Sequence, residues 1–338
     1  MAPTLPMAAS QGPAEALSRD QIAELHAEVR ALSAERNAVI LAHNYQVPEV
    51  QDVADYVGDS LGLSRQGAAT DATTIAFCGV HFMAETASIL SPEKTVLIPD
   101  LDAGCSLADS ITPDQLRAWQ AKHPGAITVM YVNTTAEIKA LTDYCVTSAN
   151  AVPVVEHILR EHGPDTEILF GPDMFLGAYV EKTIGRALHV WDGECHVHAG
   201  IRPADIASTR AEHPGADFLI HPECGCSTSV MEYVAAGDVS GDGVHMLSTG
   251  GMLDYARTAQ PGTTAIMATE TGMLHPLRKA NPDVDFVAAN EAASCRFMKM
   301  ITLTGLRDAL RDGVHEVRVP PEIAERARIP IERMVAIT

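Results

Sequence analysis

The sequence repeats three of its cysteines at a nearly constant interval. Cys195 follows Cys105 by 90 residues, and Cys295 follows Cys195 by 100. Each stands a few residues beyond a short apolar run of the kind that forms a buried strand. The pattern that starts at Pro113 and ends in HPGA recurs 90 residues later, starting at Pro203. Regular intervals of this kind indicate an internal repeat.

Apolar runs that end in polar or glycine-containing turns alternate with helical stretches, and they fall into three sets of four. The sets are 39–45, 54–60, 75–79 and 96–100; 127–133, 144–148, 168–173 and 188–192; and 217–223, 245–250, 264–270 and 285–291. This pattern predicts an α/β fold of three homologous αβα units with parallel sheets, arranged around a pseudo-threefold axis. The alternative is one large α/β domain whose strands recur because βα units are similar in length.

The repeat also predicts where the units begin and end. Residues 1–18 form a flexible tail, because its first part is rich in Ala and Pro and carries no Lys or Arg. Residues 19–112 form the first unit, 113–202 the second and 203–300 the third. The C-terminal segment 301–338 joins the first unit.

The charge balance limits the classes of partner. The 338 residues include 24 Lys and Arg against 44 Asp and Glu, a formal charge of −20, which disfavours nucleic acid and anionic membranes. No apolar run approaches the roughly 20 residues that span a bilayer. The N-terminus lacks a basic start and an apolar stretch, so it is not read as a signal peptide. We therefore expect a cytoplasmic protein whose seven cysteines do not form a disulfide framework.

Polar residues share the spacing of the cysteines. Tyr45, Asn133 and Glu223 close the first predicted strands at intervals of 88 and 90, and Ser60, Ser148 and Ser248 close the second at 88 and 100. Functional residues of open α/β sheets gather beyond the carboxyl ends of the strands. Three units with those ends facing inward would bring these side chains and the three cysteines to one point.

Three converging thiolates are incomplete for a structural zinc site, which usually has four protein ligands. They suit a [4Fe-4S] cluster that keeps one iron open, and such an iron can act as a Lewis acid. Zinc stays an alternative at Cys195, since His196 and His198 are adjacent.

The other cysteines have simpler interpretations. Cys78 and Cys145 lie inside predicted strands and are expected to be buried hydrophobic residues. Cys224 and Cys226 form either a redox pair or two buried thiols. His123 and His213, in the repeated HPG turns, are expected at helix ends.

Ten motifs in order carry a resemblance to a known family: AHNYQ, GDSL, GVHFMAETA, YVNTTAEIKA, TSANA, GPDMFLG, WDGECHVH, HPECG, LSTGGM and CRFMKMITL. From about residue 36 to 335, the chain resembles the quinolinate synthase family. The resemblance implies three αβα domains around a [4Fe-4S] cluster on Cys105, Cys195 and Cys295. It also implies condensation of iminoaspartate with dihydroxyacetone phosphate to quinolinate, with loss of phosphate and water. Some members carry further cysteines beside the last ligand, whereas Cys295 stands alone here.

The resemblance further implies roles for strand-end residues. Glu223 and His221 resemble the acid/base pair, with Tyr45 and His43 facing them and His198 assisting. Tyr131 and Asn133 resemble groups that position a substrate carboxylate. Phosphate binding is expected at helix starts, where free N–H groups favour anions, namely at Ser60, Ser148, Ser248 and Thr249.

Partners and alternatives follow from the same reading. The expected partners are the two small substrates, with a functional link to L-aspartate oxidase. Another [4Fe-4S]-dependent hydro-lyase is a second enzymatic hypothesis. A non-enzymatic iron–sulfur redox sensor is a third, and it leaves the strand-end Glu, His and Tyr residues unexplained.

Overall fold

Three parallel four-stranded sheets form the frame of the computed structural model, which describes residues 17–236 and 241–337. The first sheet holds β1 (Ala38–His43), β2 (Tyr56–Gly58), β3 (Thr74–Cys78) and β4 (Thr95–Leu97). The second holds β5 (Ile127–Tyr131), β6 (Tyr144–Val146), β7 (Ile168–Gly171) and β8 (His189–Val190). The third holds β9 (Asp217–Ile220), β10 (Val244–Met246), β11 (Thr264–Ala268) and β12 (Asp285–Ala288). In each sheet the second strand is at one edge, followed by the first, third and fourth.

Fifteen helices accompany these strands within the described residues. They are α1 (Arg19–Glu35), α2 (Pro48–Val53), α3 (Ser60–Ala69), α4 (His81–Leu90), α5 (Pro113–Lys122), α6 (Ala136–Lys139), α7 (Ala151–His162), α8 (Met174–Ile184), α9 (His196–Ala199), α10 (Pro203–Glu212), α11 (Ser227–Ala236), α12 (Thr249–Thr258), α13 (Leu274–Ala280), α14 (Leu303–Asp312) and α15 (Pro321–Ala336). Short 3-10 turns lie at Ala108–Ser110, Thr271–Met273 and Met298–Met300.

The α/β class and the three parallel-sheet units are confirmed. All twelve strands lie where the apolar runs predicted them, but the predicted ranges extend too far at their carboxyl ends. The strand-end side chains Tyr45, Asn133 and Glu223 therefore lie in the loops after β1, β5 and β9. The strands of a parallel sheet are apolar because helices cover both faces of the sheet. Strand pairing therefore stops where polar residues begin.

The repeated HPG turns have the same conformation in the second and third units. His123 ends α5 and His213 ends α10, with nearly equal backbone angles. Gly125 and Gly215 adopt φ of 91° and 82°, a region in which a side chain would be strained. The prediction that both histidines lie at helix ends is confirmed.

The C-terminal segment packs on two sheets. Helix α14 lies against α1 and β3, and α15 lies against α4 of the first unit and against α6 and β6 of the second. The buried amide of Asn150 donates to the carbonyls of Met334 at 2.8 Å and Ile337 at 3.0 Å, which holds the end of α15. The residue boundaries between units and the assignment of 301–338 to the first unit stay predictions.

The remaining expectations concern the buried cysteines, the N-terminal tail and membrane-spanning helices. Cys78 in β3 and Cys145 in β6 are fully buried, as predicted. Of the predicted tail, residues 1–16 lie outside the described residues, as do residues 237–240 of the segment after α11. No helix in the described part of the chain is both long and apolar enough to cross a bilayer.

Candidate active site

The carboxyl ends of strands from all three sheets face one cavity. Nearly all the residues that the sequence indicated line it: His43, Tyr45, Ser60, Cys105, Tyr131, Asn133, Ser148, Cys195, His198, His221, Glu223, Thr249 and Cys295. Ser248 is a described residue that does not line the cavity. Its hydroxyl instead caps α12 by accepting the N–H of Gly251 at 3.2 Å.

The three repeated cysteines occupy equivalent places in their units. Cys105 and Cys295 each precede a 3-10 turn, at Ala108–Ser110 and Met298–Met300, and Cys195 is the residue before α9. All three line the cavity and have no disulfide partner. The predicted convergence of one cysteine from each unit is therefore present in the structure.

The electrostatics of these thiols depend on their closeness and on the turns that follow them. Burial raises the pKa of the Cys105 and Cys295 thiols, and the negative charge of a Cys195 thiolate raises the pKa of both further. Backbone N–H groups two and three residues after each cysteine donate to its sulfur and lower its pKa. Three thiolates at this point are mutually repulsive, so a bound cation would favour their ionised forms.

The spacing of the sulfurs bears on whether one zinc ion could bind all three. Cys105, Cys195 and Cys295 are not among the described groups of three whose ligand atoms all lie within 4.8 Å of one another. Sulfurs that share one tetrahedral zinc ion lie only about 3.8 Å apart, given Zn–S bonds of about 2.3 Å. At least one pair of the three sulfurs is therefore farther apart than 4.8 Å, so the thiols as placed do not enclose a single zinc ion.

Of the two histidines named in the zinc alternative at Cys195, the structure groups only His198 with that cysteine. The Nδ1 atom of His196 is 2.7 Å from the hydroxyl of Ser106, and His196 is not part of a described metal-ligand group. Cys195, His198 and Glu223 do have ligand atoms within 4.8 Å of one another. That group shares Cys195 with the three repeated cysteines. Its carboxylate is that of Glu223, which other buried polar residues surround.

Glu223 is at the centre of the buried polar residues. Its Oε2 atom is 3.2 Å from Nδ1 of His198, off the hydrogen-bond direction, and its Oε1 atom is 3.6 Å from Nδ1 of His221. The hydroxyl of Tyr131 donates to Oε1 through a short contact. Burial would raise the pKa of Glu223, but His198, His221 and the Tyr131 hydroxyl lower it to about 2. The carboxylate is therefore ionised at neutral pH.

The histidines around Glu223 have opposite charge preferences. Burial lowers the pKa of His43 and of His221 to about 3, so both rings are neutral. Burial acts in the same direction on His198, but Tyr45, Cys195 and Glu223 raise its pKa well above the usual range. His198 and His221 stack with ring centroids 4.7 Å apart. One imidazolium and two neutral imidazoles thus surround one carboxylate. Neighbouring titratable groups whose pKa values are shifted apart in this way are typical of acid/base sites.

Tyr45 is held by a residue that the sequence analysis missed. Its hydroxyl lies 2.6 Å from Oγ1 of Thr269 and 3.3 Å from Nε2 of His198, and Thr269 is also 2.8 Å from that nitrogen. Burial raises the pKa of Tyr45 well above its usual range, so the phenol keeps its proton. Thr269 directly follows β11, and its position beyond a strand end is the signal that could have identified it.

Glu270, also missed, connects the third cysteine to the first unit. Its carboxylate accepts the N–H of Cys295 at 2.9 Å and forms an ion pair with Lys299 at 2.9 Å. The Lys299 ammonium in turn donates to the backbone carbonyl of Tyr45. Glu270 therefore fixes the loop that carries Cys295, and it lines the cavity itself.

The helix N-termini at the cavity agree in part with the predicted positions. Ser60 is the first residue of α3 and Thr249 the first of α12, while Ser148 has its hydroxyl 3.1 Å from Nε2 of His221. The cap of α3 is Asp59, which was missed; its carboxylate accepts the N–H of Gly62 at 2.8 Å, and burial raises its pKa. The Asp-Ser pair before a helix is a capping signal that could have indicated it.

Asn133 offers an unused acceptor to the cavity. Its Oδ1 atom is buried and has no hydrogen-bond partner among the described residues. Buried polar atoms are nearly always hydrogen-bonded, so an orphaned atom in a cavity wall indicates a place for a ligand group.

A disulfide stands directly beside Glu223. Cys224 and Cys226 are both fully buried and are joined to each other. Of the two sequence interpretations, a redox pair or two buried thiols, the structure has the two cysteines bonded to each other. The pair lies at the start of α11 (Ser227–Ala236), where it holds the loop that carries Glu223.

Comparison with known proteins gives matches over nearly the whole chain. A family model described as quinolinate synthetase A protein matches residues 27–336. A protein of Mycobacterium tuberculosis named quinolinate synthase is 57% identical over 312 residues, which cover 92% of this chain and 88% of that protein. Proteins of the same name from Mycolicibacterium paratuberculosis and Mycobacterium sp. strain KMS are 57% identical over 319 residues and 56% over 315. These two alignments cover 94% and 93% of this chain and 90% and 92% of the relatives.

Proposed function

The chain belongs to the quinolinate synthetase A family, and from this premise we propose that it forms quinolinate from iminoaspartate and dihydroxyacetone phosphate. Phosphate and water leave as the pyridine ring closes. The observation that carries the proposal is the single cavity in which one cysteine from each unit faces the buried carboxylate, imidazole and phenol groups.

Cys105, Cys195 and Cys295 are the residues that would hold a [4Fe-4S] cluster, because one free cysteine from each unit lines the same cavity. When bound by three cysteines, such a cluster leaves one iron as a Lewis acid for a substrate oxygen. Glu270 supports the arrangement by holding the backbone N–H of Cys295 in place.

Proton transfer falls to Glu223 and its neighbours. Enolisation and elimination both require a base that takes a proton from carbon and an acid that protonates the departing oxygen. Glu223 is ionised and is therefore the group that can accept a proton. His198, whose pKa is raised, and Tyr45, which keeps its proton, are the groups that carry a proton to donate. Neutral His43 and His221 complete the wall as hydrogen-bonding groups.

Substrate binding is assigned to the remaining lining residues. Tyr131 and Asn133 face the cavity together, and the unpartnered amide of Asn133 is free to bond a substrate group. Ser60 and Thr249 open α3 and α12, whose first N–H groups and positive dipole ends favour a phosphate. Ser148 joins them from the second unit, since its hydroxyl also lies in the wall.

We place the reaction in the cytoplasm, in keeping with the family's small, charged metabolites as substrates. Iminoaspartate would come from an aspartate-oxidising flavoenzyme, which gives the functional link to L-aspartate oxidase.

The test is an anaerobic preparation examined by visible absorption, by iron and sulfide analysis, and by an assay for quinolinate. We expect a brown protein with about four irons per chain that makes quinolinate from the two substrates. Cys195→Ala should lose iron and activity together, whereas Cys145→Ala, which removes a buried thiol away from the cavity, should keep both. A brown protein that makes no quinolinate would overturn the reaction. A colourless protein with zinc on the same cysteines would overturn the cofactor.

A further inference from the structure

A second group of metal-ligating side chains lies on the surface of the second unit. His123 ends α5, Glu167 directly precedes β7, and His189 is the first residue of β8. These positions are at the amino ends of the strands, the sheet edge opposite to the cavity. One ligand atom from each residue lies within 4.8 Å of the other two.

The separations in this group suit an ion better than direct hydrogen bonds. Oε2 of Glu167 is 3.8 Å from Nδ1 of His123 and 3.7 Å from Nε2 of His189, both too long for hydrogen bonds. Two ligands on a tetrahedral zinc ion, with bonds of about 2.0–2.2 Å, lie about 3.4 Å apart. The carboxylate oxygen thus lies only a few tenths of an ångström farther from each imidazole nitrogen than two ligands of one zinc ion lie from each other.

The backbone holds the three residues in place before any ion arrives. His189 is paired with Leu169 in the sheet, and the carbonyl of Glu167 accepts the N–H of Ile127 at 2.9 Å. The carbonyl of His123 accepts the N–H of Ala126 at 3.1 Å within the HPG turn. Ligands on a fixed backbone lose little conformational entropy on binding, which favours affinity.

The third unit provides an internal comparison, because it repeats the turn without the partners. His213 ends α10 as His123 ends α5, with nearly the same backbone angles. By strand register, Thr264 corresponds to Glu167 and Val287 corresponds to His189. His213 accordingly belongs to no metal-ligand group among the described residues. The ligand set is thus a feature of the second unit and not a by-product of the shared turn.

We propose that His123, Glu167 and His189 bind a divalent transition-metal ion of the zinc type, at a site separate from the three cysteines. Two imidazoles and one carboxylate are ligands that zinc accepts readily. The side chains are 25%, 60% and 41% exposed, so the ion can reach them and water can complete its coordination. The net charge of −20 attracts cations to the surface. A bound ion would join the end of α5 to β7 and β8.

The test uses the cluster-loaded protein under anaerobic conditions, with Zn²⁺ titrated in competition with a fluorescent zinc indicator. We expect one zinc per chain in the original protein, and an affinity at least about tenfold weaker in His123→Gln and in His189→Gln. The matched control is His213→Gln, which alters the equivalent turn in the third unit and should bind zinc as the original protein does. Circular dichroism and iron content establish that each variant is folded and loaded.

Three results would overturn the proposal. The first is no zinc binding by the original protein, and the second is equal affinity in the original protein and in both His123→Gln and His189→Gln. The third is zinc uptake only in proportion to iron release, which would place the zinc on the cysteines. Because the readout is zinc and not quinolinate, failure here is independent of the proposed reaction.

Discussion

Glu223→Gln is the substitution that most directly tests the buried acid/base residues. It keeps the size of the side chain and an oxygen that can accept from Tyr131, but it removes the negative charge. In the structure that charge lies 3.2 Å from Nδ1 of His198. At an effective dielectric constant of about 20, two unit charges at this distance interact by about 5 kcal/mol. Without the carboxylate, His198 loses one of the groups that favour its protonated form.

The expected loss of turnover follows from the removal of the base and the weakening of the acid. Positioned acid/base groups contribute about 10²- to 10⁴-fold to rates, which corresponds to about 3–5.5 kcal/mol in the barrier. We expect kcat to fall within this range while the iron content stays unchanged, because Glu223 is not one of the three cysteines that would hold the cluster.

The assay measures initial rates of quinolinate formation under anaerobic conditions, normalised to iron. Glu181→Gln is the matched control, because that carboxylate accepts the N–H of Leu188 and does not line the cavity. A Glu223→Gln rate within a few fold of the control would refute the base assignment. Loss of iron in proportion to activity would refute it as well, since Glu223 would then act on the cluster site.

Three further predictions test neighbouring features. Tyr131→Phe removes a hydrogen bond to a charged group, worth about 1.5–3 kcal/mol, so the pKa of Glu223 should rise from about 2 by about one to two units and the acidic limb of the rate–pH profile should move up equally. His43 and His221, with pKa values of about 3, stay neutral in the folded state while the unfolded chain protonates them below pH 6.5. As the pH falls from 6.5 to 4.5, each ring should therefore lower the free energy of unfolding by about 1.4 kcal/mol per pH unit. In urea unfolding, the pH slope of His43→Gln should be smaller than that of the original protein by this amount. Asn150→Ala, which leaves two carbonyls at the end of α15 without their donor, should cost about 1–3 kcal/mol in urea unfolding, and an unchanged midpoint would contradict this capping role.

The repeat was sufficient to predict the fold because apolar runs and cysteine spacing can be recognised in the sequence without knowledge of tertiary contacts. Apolar runs predict buried strands one by one, and equal spacing of Cys105, Cys195 and Cys295 relates the three sets. The same reasoning predicted that Tyr45 and Glu223 lie close together, because parallel strands end at a common sheet edge. Both residues line the cavity.

What could not be predicted depends on side-chain contacts that residue spacing does not determine. Glu270 follows the third strand of its sheet and has an acidic counterpart, Asp173, in the second unit but not in the first, and Thr269 has no counterpart of its type in either. Tyr45, the partner of Thr269, is 224 residues away in sequence. The bond between Cys224 and Cys226 likewise depends on how the loop after β9 bends, which residue spacing does not determine.

The common strand order of the three sheets has a consequence for how such a chain could have arisen. A single ancestral unit could have built this cavity only as a ring of three copies, and symmetry would then have placed the same residue at all three equivalent positions. Fusion into one chain removes that restriction. Tyr45, Asn133 and Glu223, which follow the first strand of each sheet, are now a phenol, an amide and a carboxylate. The cysteine stayed the same in every copy while the neighbouring loops diverged, so an asymmetric reaction can take place on a nearly symmetric scaffold.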